Sequence, residues 1–153
     1  MPPRVAIRFL LPDGPHGYLS NWSAHPFELD GQRWPTVEHY FQAMKFPDDA
    51  ALQARIRAAA TPARAKEVAW STEAVRVDWK GARDEVMGRA LRAKFTQHPA
   101  LRQQLLATGD AELVEANPDD GYWGDGGDGS GRNRAGELLM ELRGGLGGEL
   151  SDS

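Results

Sequence analysis

Between Pro35 and Gly109 the chain is cut into short segments by residues that start or stop helices. That punctuation restricts it to a packed set of mostly short helices. Pro35 and Thr36 open TVEHYFQAMKF, residues 36 to 46, which should end near Phe46 because the residue before Pro47 is pushed out of helical geometry. Asp48 and Asp49 offer caps for a second helix through about Ala60, and Thr61-Pro62 supplies a cap and a first-turn proline for a third through Trp70. Asp78 can cap a long helix in which Val86, Ala90, Leu91 and Phe95 recur at helical spacing despite Gly81 and Gly88. Pro99 to Ala107 forms another, stopped at Gly109, and NRAGELLMELR a last one, capped by Asn133 with Leu138, Leu139 and Leu142 on its inner side.

Strand signals are fewer. RVAIRFL, residues 4 to 10, has the Val, Ile and Phe content of a short strand, and Asp30-Gly31 sits between two short apolar stretches as in a tight hairpin. VRV at 75 to 77 is too short to assign, and ELVEAN at 112 to 117 reads as either a strand or a helical turn. The expected fold is α+β, a predominantly helical single domain over residues 1–146 with a small N-terminal β element. The glycine-rich end, residues 147–153, is expected to be a flexible tail.

A chain of 153 residues is long enough to bury a core without staples. The absence of Cys excludes disulfides, thiolate zinc sites and a Cys nucleophile, and suits a reducing compartment. A formal net charge of −4 argues against a broad electrostatic footprint for bulk nucleic acid. No segment approaches the roughly 20 apolar residues of a membrane span. The expectation is a soluble, cytoplasmic protein with no membrane partner.

TVEHYFQAMKF poses the main chemical question. At 3.6 residues per turn, Glu38 and Lys45 fall within about 20° of each other around the helix axis, with Gln42 about 40° from Glu38. Val37, Tyr40, Phe41 and Met44 form the apolar face beside this polar stripe. If the stripe is wet, Glu38 is an ordinary helix-start acid, stabilised by about 0.3–1 kcal/mol through the macrodipole. If a ligand closes over it, desolvation outweighs the dipole and makes Glu38 a general acid or base. Lys45, about 10 Å along the axis from Glu38, is a solvated cation, a phosphate anchor, or a desolvated amine able to attack the C1 carbon of a ring-opened sugar.

The loop DGGDGSGRN, residues 125 to 133, feeds a helix start as phosphate cradles do. Its acids Asp125 and Asp128 would repel a phosphate unless turned away or given to sugar hydroxyls, and Arg132 is the compensating cation. Trp123, flanked by Gly and Asp, is hard to explain as core and reads as a stacking residue for a base, as does Trp79. Trp22 and Trp34 suit a core or a hairpin. The four His, at 16, 25, 39 and 98, have no paired metal spacing, and no Ser lies in a nucleophile elbow. Neither a metal nor a cofactor is called for.

Taken together, GYLSNWSAHPFELDGQRWPTVEHYFQAMKF, DWKGARDEVMGRALRAKFTQHPALRQQLLATGDAELVEA and YWGDGGDGSGRNRAGELLMELR resemble the NADAR superfamily, the YbiA-like N-glycosidases, over nearly the whole chain. Trp22 stands where that pattern has Phe, and Ala135 where it has a larger aliphatic residue. The resemblance implies hydrolysis of the bond between ribose C1 and an exocyclic amine of a base. It points to phosphoribosylamino-pyrimidine intermediates of riboflavin biosynthesis or to ADP-ribose on guanine. The implied partners are thus a ribosyl-phosphate or ADP-ribosyl small molecule and, for the second substrate type, ADP-ribosylated DNA.

By the same resemblance the catalytic residues are Glu38, as acid/base, and Lys45, as Schiff-base nucleophile or charge anchor. Trp79 and Trp123 would hold the base, while Asp128, Asn133 and the glycines Gly124, Gly129 and Gly131 would hold ribose and phosphate. Asn21, Gln42, Asp78 and Arg83 complete the implied substrate-binding set. Two other readings compete: a module that binds ADP-ribose or NAD without cleaving it, and a scaffold. Retention of both Glu38 and Lys45 favours the enzyme, since a pure binder has no use for an acid/base stripe.

Overall fold

The computed structural model describes residues 5–72 and 74–151, with side chains through Gly148. The described residues fall into two compact units, one drawn from residues 1–23 and 98–153, the other from residues 24–97. Predominantly helical with two small sheets, the fold is of the α+β class.

In the 24–97 unit the strands form a hairpin. Numbered in chain order, β2 (Phe27–Leu29) and β3 (Gln32–Trp34) pair antiparallel with Phe27 opposite Trp34. The hairpin turns at Asp30 and Gly31, whose φ values of 55° and 78° are the two positive angles a tight primed turn requires. Then follow α1 (Val37–Ala43), α2 (Ala50–Arg57), α3 (Pro62–Trp70) and α4 (Trp79–Gln97). The expected caps are in place at the first three. Thr36, Asp49 and Thr61 accept hydrogen bonds from the backbone N–H groups of His39, Leu52 and Arg64. Asp78 differs, because its carboxylate is held by Arg76.

All seven residues of α1 are buried, and the helix packs against α2, α3 and α4. Its polar side chains are therefore interior, which for a short helix demands partners for each. Tyr40 lies edge-on to Trp34 at 5.2 Å and donates from its hydroxyl to Asp30 Oδ2 at 2.8 Å, and Arg89 of α4 pairs with the same carboxylate. His39 Nε2 lies 3.0 Å from the Ala59 carbonyl oxygen, an acceptor that requires Nε2 to carry the proton. Nδ1 is then free to accept from Thr36 Oγ1 at 2.8 Å. Burial pushes the His39 pKa down, keeping the ring neutral. The α-helix ends at Ala43, earlier than Pro47 alone would place it. The N–H groups of Lys45 and Phe46 bond back only three residues, to Gln42 and Ala43, tightening the final turn.

In the other unit, β1 (Ala6–Phe9) and β4 (Glu112–Glu115) pair in parallel, from Ala6 opposite Glu112 to Phe9 opposite Glu115. ELVEAN is thus a strand. A single 3-10 turn covers Gly17–Leu19, and the helices are α5 (Pro99–Ala107) and α6 (Arg134–Ser151). Helix α6 packs on β4 where Gly136 leaves no room for a side chain: a Cβ there would fall on the Leu113 carbonyl oxygen. Helical structure continues to Ser151, through the stretch from 147 expected to be a flexible tail. Leu146 is fully buried and Arg143 donates to Thr108 Oγ1 at 2.8 Å, contacts that offset the cost of four glycines in the last turns. The last two residues of that tail lie outside the described residues. Ala135 is buried in the core, whereas Trp22 is 38% exposed at the surface.

Candidate active site

Whether the α1 stripe is wet or dry has an answer in the structure. Glu38 is 8% and Gln42 2% exposed. Gln42 Nε2 donates to Glu38 Oε1 at 2.7 Å, one helical turn away. The other amide atom, Gln42 Oε1, is buried with no donor among the described residues. A buried acceptor left without a donor costs on the order of 1–3 kcal/mol, which an incoming donor group recovers.

Lys45 follows α1, its carbonyl oxygen fixed by the Arg76 N–H at 2.9 Å. Its Nζ lies 5.7 Å from the Phe41 ring centre, 5.9 Å from that of Trp79 and 6.0 Å from that of Trp70. Phe41 and Trp79 are themselves tilted against each other at 5.0 Å. This half-buried position lowers the Lys45 pKa, chiefly by desolvation and further through the charge of Lys66, while the Glu38 carboxylate opposes the shift. A lysine among rings and near a second cation has more of its amine in the neutral, nucleophilic form than one in water.

Trp79 begins α4 and brings its ring to Phe41 and Lys45, while Arg83 lies half-buried one turn further on. Asp78 points elsewhere: its exposed carboxylate accepts from Arg76 Nε at 2.6 Å and Nη2 at 2.8 Å, and that pairing lowers its pKa. Trp70, which the sequence reading did not single out, joins the Lys45 surroundings, with Lys66 Nζ 5.2 Å from its ring. The spacing of Lys66 and Trp70, one turn apart on α3, was visible in the sequence. Their convergence with Lys45 was not, because it depends on how α1 meets α3.

The loop of the other unit closes on itself. Asp120 Oδ1 accepts from the Tyr122 and Trp123 N–H groups, both at 2.9 Å. Buried Asp125 accepts from the Gly127 N–H at 2.8 Å and pairs with Arg8 at 3.0 Å. The amides of Gly131, Arg132 and Asn133 donate to the carbonyl oxygens of Asp125, Gly121 and Gly124. These are donors the sequence offered to a phosphate, and the loop itself takes them up.

Gly124 and Gly131 are crowded by neighbouring backbone, whereas Gly129 sits in open space at φ 87°. Asp128 is exposed and accepts from the Ser130 N–H and hydroxyl, which lowers its pKa. Asn133 stands just before α6, its carbonyl accepting from the Glu137 N–H. Its side chain does not cap the helix as the sequence suggested. It faces β4, accepting from the Glu115 N–H and donating to the Leu113 carbonyl, both at 2.9 Å, because those strand groups need partners. Trp123 is half-buried, edge-on to Tyr122 at 4.9 Å, and Asn21 lies half-buried beyond the 3-10 turn.

Each unit therefore assembles part of the expected set: Glu38, Gln42, Lys45 and Trp79 in one, the 117–133 loop residues in the other. Among the described residues no His, Cys, Asp and Glu cluster is arranged to hold a metal, and no helix is long and apolar enough to cross a membrane.

The model of the NADAR domain matches residues 8–147. N-glycosidase YbiA of Escherichia coli strain K12 is 47% identical over 138 residues, which span 90% of this chain and 86% of that protein. An N-glycosidase of Nostoc punctiforme is 42% identical over 132 residues, covering 84% and 85% of the two chains. A riboflavin biosynthesis protein of Vibrio vulnificus is 45% identical across 90% of this chain, a match that takes up 37% of that longer protein. The NMR structure of the Escherichia coli protein YbiA superposes with a TM-score of 0.90 at 44% identity, covering 100% of this chain and 91% of that one.

Proposed function

From the premise that this chain belongs to the NADAR family and is a hydrolase of the N-glycosidase type, we propose that it cleaves the bond between ribose C1 and an exocyclic amine of a base, with Glu38 and Lys45 as its catalytic residues. The observation that carries this reading is the dry stripe of α1. A buried carboxylate is hydrogen-bonded to an amide with an unmet acceptor, and close by is an amine desolvated among three rings.

The chemistry follows from those groups. An exocyclic N-riboside opens to an imine at C1. The neutral Lys45 amine adds to that carbon, Glu38 protonates the exocyclic nitrogen, and the base leaves as its free amine. Water then adds to the lysine imine, with Glu38 taking the proton, and releases the free sugar and the lysine. The net reaction is one water consumed and one C–N bond exchanged for C–O. Gln42 Oε1 is suited to accept from a ribose hydroxyl or from the amine itself.

The substrate we favour is a phosphoribosylamino-pyrimidine intermediate of riboflavin biosynthesis. Its support is that relatives covering most of this chain are named for that pathway, and that a net charge of −4 does not favour long DNA. ADP-ribosyl-guanine in DNA poses the same bond to the same groups and is the second substrate to test. Incubation with each compound, followed by detection of free ribose 5-phosphate or ADP-ribose, decides between them. Tight binding of either without release of sugar would make the protein a binding module and end the catalytic reading.

A further inference from the structure

Trp70 ends α3 with 70% of its surface exposed, although an indole left in water forfeits the burial that usually places it inside. Its position is specific. Lys45 Nζ is 6.0 Å from its ring centre and Lys66 Nζ 5.2 Å. Phe41 and Trp79, the other two rings around Lys45, are buried and half-buried. Trp70 is thus the outermost of three rings around one amine, and a cation on its own helix stands beside it. An exposed aromatic face between two lysines is matched by a flat heterocycle that carries an anionic group.

We propose that Trp70 is a specificity-determining residue that stacks on the substrate's heterocycle outside Lys45, with Lys66 facing the anionic group attached to it. The inference rests on the Lys45 reading above and deepens it: Lys45 meets C1, and Trp70 receives the base. Stacking acts on bound substrate and on the transition state alike, so it governs KM and leaves the chemical step alone.

The test is steady-state turnover of the phosphoribosylamino-pyrimidine by wild type, Trp70→Ala and Trp70→Phe. Trp70→Ala should raise KM roughly tenfold, the worth of one base–aromatic stack, with kcat on its high-pH plateau unchanged, and Trp70→Phe should recover most of the loss. An exposed ring predicts an unaltered melting temperature. An unchanged KM would overturn the proposal. So would an acid limb moved to higher pH with KM unaltered, the signature of a ring that merely shields Lys45. If wild type turns over neither N-riboside, the proposed function fails by itself. Equilibrium binding of the same compounds to Glu38→Gln and to Glu38→Gln/Trp70→Ala then decides the stacking. A tenfold weaker Kd in the double variant sustains it, and equal affinity or no binding refutes it.

Discussion

Asp125 in the glycine-rich loop and Glu38 on α1 are both buried acids, 3% and 8% exposed, yet their surroundings differ in kind. Asp125 is matched by the Arg8 guanidinium and the Gly127 N–H, and around it the loop takes up its own amides one by one. Glu38 receives a neutral amide whose second polar atom is left unmet, and the lysine of its stripe is desolvated by rings. An acid tied to a cation and to a backbone amide of its own loop holds backbone in place. An acid bonded to an amide whose own acceptor is unmet, beside an amine of lowered pKa, is set up to act on a ligand.

The sharpest way to break this contrast is Lys45→Arg. If the amine attacks C1, the guanidinium variant forms no imine and turnover falls below detection, while borohydride added to working wild-type enzyme traps a sugar adduct. The neutral amine is the reactive form, so wild-type kcat should rise with pH through the depressed Lys45 pKa and level off below the ordinary lysine value of 10.5. An active Lys45→Arg enzyme with no trapped adduct would leave Lys45 as a charge anchor. Glu38→Gln comes next, with kcat expected to fall by about 10²–10⁴ while substrate affinity stays within about tenfold. Near-normal turnover in the folded variant would remove Glu38 from the mechanism.

On the loop side, Asn133→Ala should lower stability by about 1–3 kcal/mol, because the Glu115 N–H and the Leu113 carbonyl both lose their side-chain partner. Thermal or urea unfolding measures it, and a wild-type midpoint would show that these bonds matter little. Trp123→Ala is the smallest effect. Its half-buried ring is already covered on one edge by Tyr122, so removal should weaken substrate binding by about 1 kcal/mol, the low end for a base stack. A large drop in melting temperature with unchanged affinity would assign the ring to the loop's own packing.

Much of this was legible in the chain. Thr36, Asp49 and Thr61 announce their helices by a local rule, in which a short polar side chain reaches an N–H group three residues on, and Asp30-Gly31 announces its hairpin by the φ angles it tolerates. The spacing of Glu38, Gln42 and Lys45 placed them on one stripe, but whether that stripe was dry depended on α2, α3 and α4 packing around it, which no local pattern encodes. The pairing of β1 with β4 left no local trace for the same reason. Four glycines made residues 144–148 look like an ending, and it is the burial of Leu146 and the bond of Arg143 to Thr108 that carry α6 through them. Trp70 drew no notice because exposure is a property of the packed helices, not of its neighbours in sequence.

The parallel pairing of β1 and β4 also sets an order of events in time. Ala6 meets Glu112, 112 − 6 = 106 positions later. Closing a loop of that length costs about 4 kcal/mol of chain entropy beyond the constant for any closure. The 24–97 unit is one continuous stretch whose helices and hairpin close locally, so on a ribosome it has its whole sequence while β4 is still unmade. The helix bearing Glu38 thus belongs to the half able to fold early, while β1, made before that half, waits for β4 to find its neighbour.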